Sequence, residues 1–370
     1  MVVLEARDRV GGRVWSQRLT NGALVEMGAE FVLPGADTLD GFVRELGLGY
    51  WDKQMFYGER EPRGGIAVDA LQLHAAVETI AAALEGRTGK LGISARSFLD
   101  GLDLHPGARE AVEARLEMSC VATSDRIDAS VLGSIAAHSR DACPSVAGGN
   151  QQVALALAAR LGDVVRLSSP VKRIAWSDAD VRLSADGAEL EADRVVLALP
   201  ASVIGQITFE PALPAALATA YAEVEYGPAA KLFVPLRSTP GPTAVMAVAE
   251  RYWTWTAAAA GAIQPTLHAF AGSEPAVDAL RVEEGAETWL ASVARLRPDL
   301  ELDHDGAVLS TWVDDPWVRA AYSLKAPPTD AWVAVQPFYV CGEHTAGESA
   351  SLMEGALRSG VRAAREILRP

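Results

Sequence analysis

Residues 2–13 read Val-Val-Leu-Glu-Ala-Arg-Asp-Arg-Val-Gly-Gly-Arg. The apolar run Val2–Leu4 predicts a buried strand. Glu5 then falls at the carboxyl end of that strand. In an α/β sheet this is where an acid accepts the ribose hydroxyls of a dinucleotide. Gly11 and Gly12 let the backbone approach a ligand closely. Arg13, directly after them, can offer its fork to a pyrophosphate. On residues alone, an acid such as Glu5 after a strand is usually just a solvated charge.

Outward from this stretch, residues 65–140 are rich in alanine and leucine at helical spacing and predict a mostly helical insert. Residues 144–149 predict a turn. A helix follows over 151–161, then alternating strands over 164–167, 171–176 and 181–184. Asp186-Gly187 supplies a hairpin turn signal. Residues 194–199 form a nearly continuous apolar run, the pattern of a strand buried on both faces. Residues 231–236 and 335–340 are strand-like, and an amphipathic helix closes the chain over 352–368. Ser351 and Glu354 have capping-box spacing, which predicts the start of that helix. We expect the first and last strands in one parallel sheet, with the middle of the chain as a second domain.

The chain has 370 residues, a length that suits two or three domains. With 49% hydrophobic and 22% charged residues it is globular rather than disordered. A net charge of -15 argues against a nucleic-acid partner, which needs a basic footprint. The charge is compatible with cationic substrates and equally with solubility alone. The three cysteines, Cys120, Cys143 and Cys341, form no CxxC pair. That excludes a cysteine zinc site and suits a reducing cytoplasm. No apolar run approaches the ~20 residues of a membrane span, no signal-peptide layout opens the chain, and nothing points to a metal.

LEARDRVGGR at 4–13 and VEMGAEFV at 25–32 resemble the opening of the flavin monoamine oxidase family. FYVCGEHTAGESASLMEGALRSGVRAAREIL at 338–368 is similar to that family's closing motif. AGGNQQVALALAARLG, PVKRI and ADRVVLALPASVIGQITFEPALP extend the likeness across the middle. The resemblance implies an α/β fold: an FAD-binding Rossmann-like (GR2-type) domain plus an α+β substrate domain carrying the helical insert. The FAD-binding domain is expected to be discontinuous, over 1–55, 148–210 and 325–370, and the substrate domain over 56–147 and 211–324. The family's GxGxxG turn belongs about 20 residues before Glu5. The first domain is therefore expected to be N-terminally truncated, through a gene start placed too late, a separate chain, or decay.

The resemblance also implies roles. Glu5 matches the ribose-binding acid. Arg7, Gly11, Gly12 and Arg13 match the loop at the diphosphate and flavin. Val171 matches a backbone contact to adenine, though it also suits a core strand. Gly342 and Glu343 match the ribityl and phosphate region, where an acid near a helix start is also unremarkable. Leu352 and Met353 match the helix start that meets the flavin pyrimidine. Lys231 matches a lysine that holds a water near flavin N5; on residues alone it reads as a strand-end lysine snorkelling to water. Tyr322 matches one wall of an aromatic cage, with Leu352 where the second wall often stands. Ala321 falls where animal monoamine oxidases carry a flavin-bonded cysteine, so FAD is expected to be non-covalent. Trp253, Trp255, Trp312 and Trp317 could shape the substrate region, though large aromatics are usually core.

The implied reaction moves a hydride equivalent from an amine C–H to flavin N5. O2 then acts as acceptor, giving an imine and H2O2. The partners would be a small-molecule amine and O2, with room for a homodimer and no nucleic acid or membrane. Two alternatives remain open: a non-catalytic paralogue serving as a binding module, and a carotenoid-desaturase or protoporphyrinogen-oxidase-like flavoenzyme.

Overall fold

The structure is a computed structural model describing residues 1–137, 142–177, 180–185 and 188–369. It is a mixed α/β fold whose principal element is a six-stranded sheet. The spatial order of that sheet is Val308–Thr311, Ala229–Pro235, Thr266–Gly272, Tyr252–Thr256, Thr243–Ala247 and Glu61–Arg63. All neighbours are antiparallel except the last pair.

Side chains on a strand alternate between faces, and here the two faces do different work. Ala230, Leu232 and Val234, with Leu267, Ala269, Ala271 and Tyr252, pack under helix Glu287–Leu296 around the fully buried Trp289. The intervening residues, Lys231, His268, Phe270, Trp253 and Trp255, point the other way. Lys231 lies opposite Phe270 and Phe270 opposite Trp253, while His268 lies opposite Trp255. This second face becomes one wall of a large cavity.

Across that face runs helix Pro106–Cys120, which opens on proline at its first turn, where no amide donor is lost. Residues Ala111–Met118 are buried throughout, including Glu113, Arg115 and Glu117. Two strands meet its C-terminal end backbone to backbone. A Cβ at Gly227 would lie 2.3 Å from the Val121 carbonyl, and one at Gly272 would lie 2.5 Å from that of Met118. Only glycine permits that approach. The predicted helical insert is present as Ala70–Leu84, Ala95–Asp100, Pro106–Cys120 and Leu132–Ala137. The first of these is fixed by a reciprocal capping box between Asp69 and Gln72.

The strands predicted over 171–176 and 181–184 are observed as Val171–Trp176 and Val181–Ala185. They form a sheet with Ala188–Ala192 and Thr208–Glu210. The hairpin signal at Asp186-Gly187 lies outside the described residues, but Ala185 and Ala188 on either side are paired.

Three expectations need correction. The single parallel sheet is observed as two separate parallel pairs, Val3–Leu4 with Val165–Arg166 and Val195–Leu197 with Phe338–Val340. Pairing needs strands ~4.8 Å apart, and the cavity lies between these pairs, lined by both. Second, the strands facing it are not buried on both faces: Val3 is 37% and Val196 42% exposed. Third, the closing helix, Met353–Leu368, has no side-chain cap, and Ser351 and Glu354 form no capping box. The Glu354 carboxylate instead accepts the Thr38 and Leu39 amides at 3.1 and 2.9 Å. It thus caps helix Asp37–Glu45, whose own N-cap, Ala36, cannot.

Candidate active site

A single cavity of about 2410 Å³ runs from the strand end at Glu5 to the aromatic face of the large sheet. All twelve residues singled out in the sequence lie on its wall. They arrive from distant parts of the chain because the strand ends, the Gly11-Gly12 loop and the start of the closing helix all open onto the same space.

At one end, a Glu5 carboxylate oxygen accepts the Arg7 amide at 2.8 Å, and the Arg7 side chain is tied to Asp315 at 2.5 Å. Gly12 has φ +57°, and a Cβ there would meet no atom within 4 Å, so its backbone presents bare surface. Val171 lines the same end from its strand.

In the middle, Gly342 holds φ +140° and leads into Glu343. That carboxylate accepts Arg13 at 2.8 Å, the Ser323 hydroxyl at 2.5 Å and amide at 3.3 Å, and the Ser351 amide at 2.8 Å. Burial alone would raise its pKa; Arg13 and the Ser323 hydroxyl outweigh burial and hold it below the usual carboxylate range. Glu343 therefore fastens the Arg13 loop, strand Tyr322–Lys325 and the approach to the closing helix. Leu352 and Met353 stand at the uncapped start of that helix, where the first-turn amides carry the positive end of the dipole.

At the other end, Lys231 does not snorkel. It is 6% exposed and donates to the Glu26 and Gly28 carbonyls at 2.6 and 3.0 Å and to the Glu30 carboxylate at 2.5 Å. These three acceptors match the three protons of an ammonium. Glu30 also pairs with Lys53 at 3.0 Å and stands 3.6 Å from His268. Burial opposes ionisation of Glu30, but Lys231 and Lys53 prevail and hold its pKa far below the usual range. Burial likewise pulls the His268 pKa to about 4 against the pull of Glu30, so its imidazole is neutral at pH 7. Tyr322 gives its hydroxyl proton to the Ser119 carbonyl at 3.0 Å and lines the cavity.

Sequence reasoning missed much of this end. Glu30, Phe31, Tyr57, Phe270 and Arg115 also line it. Phe31 contacts Tyr57 edge-on at 5.0 Å, and Trp253 stacks on Trp255 at 4.2 Å. The aromatic wall is thus built mostly from the sheet face and the 31–57 segment. A signal for Glu30 existed: an acid inside the apolar run Met27–Val32 needs a buried partner.

An acid at a strand end, a bare glycine turn and an uncapped helix start thus surround one cavity. The chain belongs to the flavin-containing amine oxidoreductase family, whose model matches residues 1–368. FAD is the cofactor of such an enzyme. The chain is 29% identical to a putrescine oxidase of Kocuria rosea, in an alignment taking in 58% of this chain and 54% of that protein. It is 27% identical to a Mycobacterium tuberculosis protein described as a flavin-containing monoamine oxidase, over 99% of this chain and 91% of the other. The solved structure of a putrescine oxidase bound to putrescine superposes with a TM-score of 0.80 at 25% identity, covering 100% of this chain and 93% of that one. These matches do not favour the binding-module, carotenoid-desaturase or protoporphyrinogen-oxidase alternatives. Among the described residues, no helix is long and apolar enough to cross a membrane, and no group of His, Cys, Asp and Glu could hold a metal.

Proposed function

We propose that this chain is an amine oxidase that holds FAD non-covalently along the cavity, dehydrogenates the carbon beside an amine nitrogen and uses O2 as acceptor. One observation carries the reading: a continuous cavity joins the Glu5 strand end, the Gly12 turn and the uncapped start of helix Met353–Leu368 to an aromatic wall.

The residues present fit the cofactor. Glu5 offers a carboxylate for paired ribose hydroxyls. Arg7, Gly11, Gly12 and Arg13 frame the diphosphate, with the bare Gly12 backbone allowing close approach. Val171 borders the adenine end, and Gly342 with Glu343 the ribityl chain. The amides at Leu352 and Met353 would meet the pyrimidine edge, where a helix dipole favours negative charge. Position 321 is alanine, whose methyl group cannot bond to a flavin.

When bound, the flavin supplies a two-electron acceptor that is reoxidised by O2 to give H2O2. The chain's own residues bind and desolvate the amine. Tyr322, Phe31, Tyr57 and Phe270 line the cavity, where their rings would pack against an amine. Lys231 acts here as a fixed positive charge, its protons committed to Glu26, Gly28 and Glu30. Cys120, Cys143 and Cys341 form no disulfide, which supports a place in the reducing cytoplasm.

The test is to mix the protein with excess FAD, desalt it and record the flavin bands. Amines are then added without oxygen to follow bleaching, and oxygen is admitted to measure peroxide. Retained flavin, bleaching and stoichiometric peroxide are expected. A protein that keeps no flavin, or keeps flavin that no amine bleaches, would sink the reading.

A further inference from the structure

Two arginines stand at or behind the aromatic end of the cavity, and among the described residues neither is paired with a carboxylate. Arg115, from the buried helix, lines the cavity next to Tyr57, Trp253 and Tyr322 and is 9% exposed. Its Nε has no hydrogen-bond partner, and its side chain enters no ion pair among the described residues. Arg60, 6% exposed, lies behind this wall, with its Cζ 3.7 Å from the Trp253 ring and 5.0 Å from that of Tyr57. Its Nε donates to the Tyr57 carbonyl at 3.2 Å, while both terminal nitrogens have no partner.

Buried guanidinium groups are ordinarily paired with carboxylates. The contrast within this molecule is direct. The buried Arg297 is held by Asp299 at 2.8 Å and the buried Lys231 by Glu30 at 2.5 Å. Ring stacking covers one face of Arg60 but accepts none of its in-plane protons. Burial first, and the neighbouring Arg60 second, pull the Arg115 pKa down to about 10, still above neutrality, so Arg115 is charged at pH 7.

We propose that Arg115, backed by Arg60, receives a carboxylate of the substrate, so that the amine oxidised here also carries an acid group. This rests on the amine-oxidase reading and narrows it. A guanidinium fork matches a carboxylate in plane and charge, and the surrounding rings would hold the apolar part between acid and amine. A diamine suits this end poorly. Its second ammonium would face Arg115 and Lys231 on the wall, and Glu30, the carboxylate beside the aromatic wall, already bridges two lysines.

The test uses non-reacting probes on the flavin-loaded enzyme. Calorimetry compares 3-phenylpropionate with 3-phenylpropanamide, which differ in the acid group. The acid is expected to bind about 10- to 100-fold more tightly, the range of a charge-assisted hydrogen bond expressed as an affinity ratio. Arg115→Met should erase that preference and Arg115→Lys should keep part of it. An amide that binds as well as the acid, or a preference that survives Arg115→Met, overturns the proposal. The wild-type comparison decides even if the methionine variant does not fold. Turnover of 2-phenylethylamine without any acid preference would sink this inference and leave the oxidase reading standing. An acid preference without turnover of either 2-phenylethylamine or phenylalanine would do the reverse.

Discussion

Replacing Glu30 by glutamine removes the carboxylate that pairs with two buried lysines while keeping its shape. Glu30 bridges Lys231 at 2.5 Å and Lys53 at 3.0 Å, and all three residues are at most 6% exposed. In Glu30→Gln both ammonium groups lose their counter-ion, and the new amide turns an N–H toward one of them. Breaking a buried pair by removing one partner costs about 3–5 kcal/mol. At about 2 °C per kcal/mol for a chain of this size, the melting temperature should fall by about 6–10 °C. Differential scanning fluorimetry at pH 7.5 reads this directly. The pH dependence has a defined sign. Glu30 has a folded pKa below its ordinary value, so its stabilisation is complete above about pH 4.5 and fades as the pH falls toward the folded value. The gap between wild type and variant should be flat from pH 5 to 8 and narrow below about pH 4. Adding Lys231→Met should recover part of the loss, because it removes one stranded charge. A drop below about 2 °C at pH 7.5, or a gap that widens in acid, would refute the claim that this carboxylate holds the lysines in place.

Glu5→Ala should weaken FAD binding about 10- to 100-fold, read by flavin fluorescence titration, since two charge-assisted hydrogen bonds are lost. The melting temperature of the cofactor-free protein should barely move. Gly272→Ala forces a methyl group against the Met118 carbonyl, 2.5 Å from the ideal Cβ, and should destabilise by about 1–3 kcal/mol in urea titrations. Glu354→Ala uncaps helix Asp37–Glu45 and should destabilise by about 1–2 kcal/mol, with Glu354→Gln retaining part of the cap. His268, with a folded pKa of about 4 against an ordinary 6.5, takes up its proton more readily when unfolded. Stability should decline as the pH falls from about 6.5 toward 4, and His268→Gln should flatten that decline.

The legible parts of the chain were those where a local pattern has one outcome. Alternation over 171–176 and helical spacing over 151–161 and 352–368 reappear as elements within a residue or two. The motifs at the two ends pointed to residues that do share one cavity. Failures came where a side chain answers to a distant partner. Ser351 and Glu354 have capping-box spacing, but Glu354 serves a helix that lies more than 300 residues earlier in the chain. Arg115 follows Glu113 and precedes Glu117, and on a helix such i, i+2 neighbours do not share one face. That spacing hints that not all three can reach solvent, yet it does not say which one turns toward a ligand. Lys231 looked like a strand-end charge because its counter-ion, Glu30, arrives from another part of the chain.

The division of labour across strand Ala229–Pro235 has a consequence for how such an enzyme can diverge. Even-numbered positions pack into the core beneath the sheet, and the odd-numbered Lys231 faces the cavity. The same holds, with parity reversed or kept by register, on the strands beside it. The cavity wall can therefore be rewritten at Trp253, Phe270 or their neighbours while the opposite layer stays intact. A single inserted residue in any of these strands would exchange the two roles at once and destroy both.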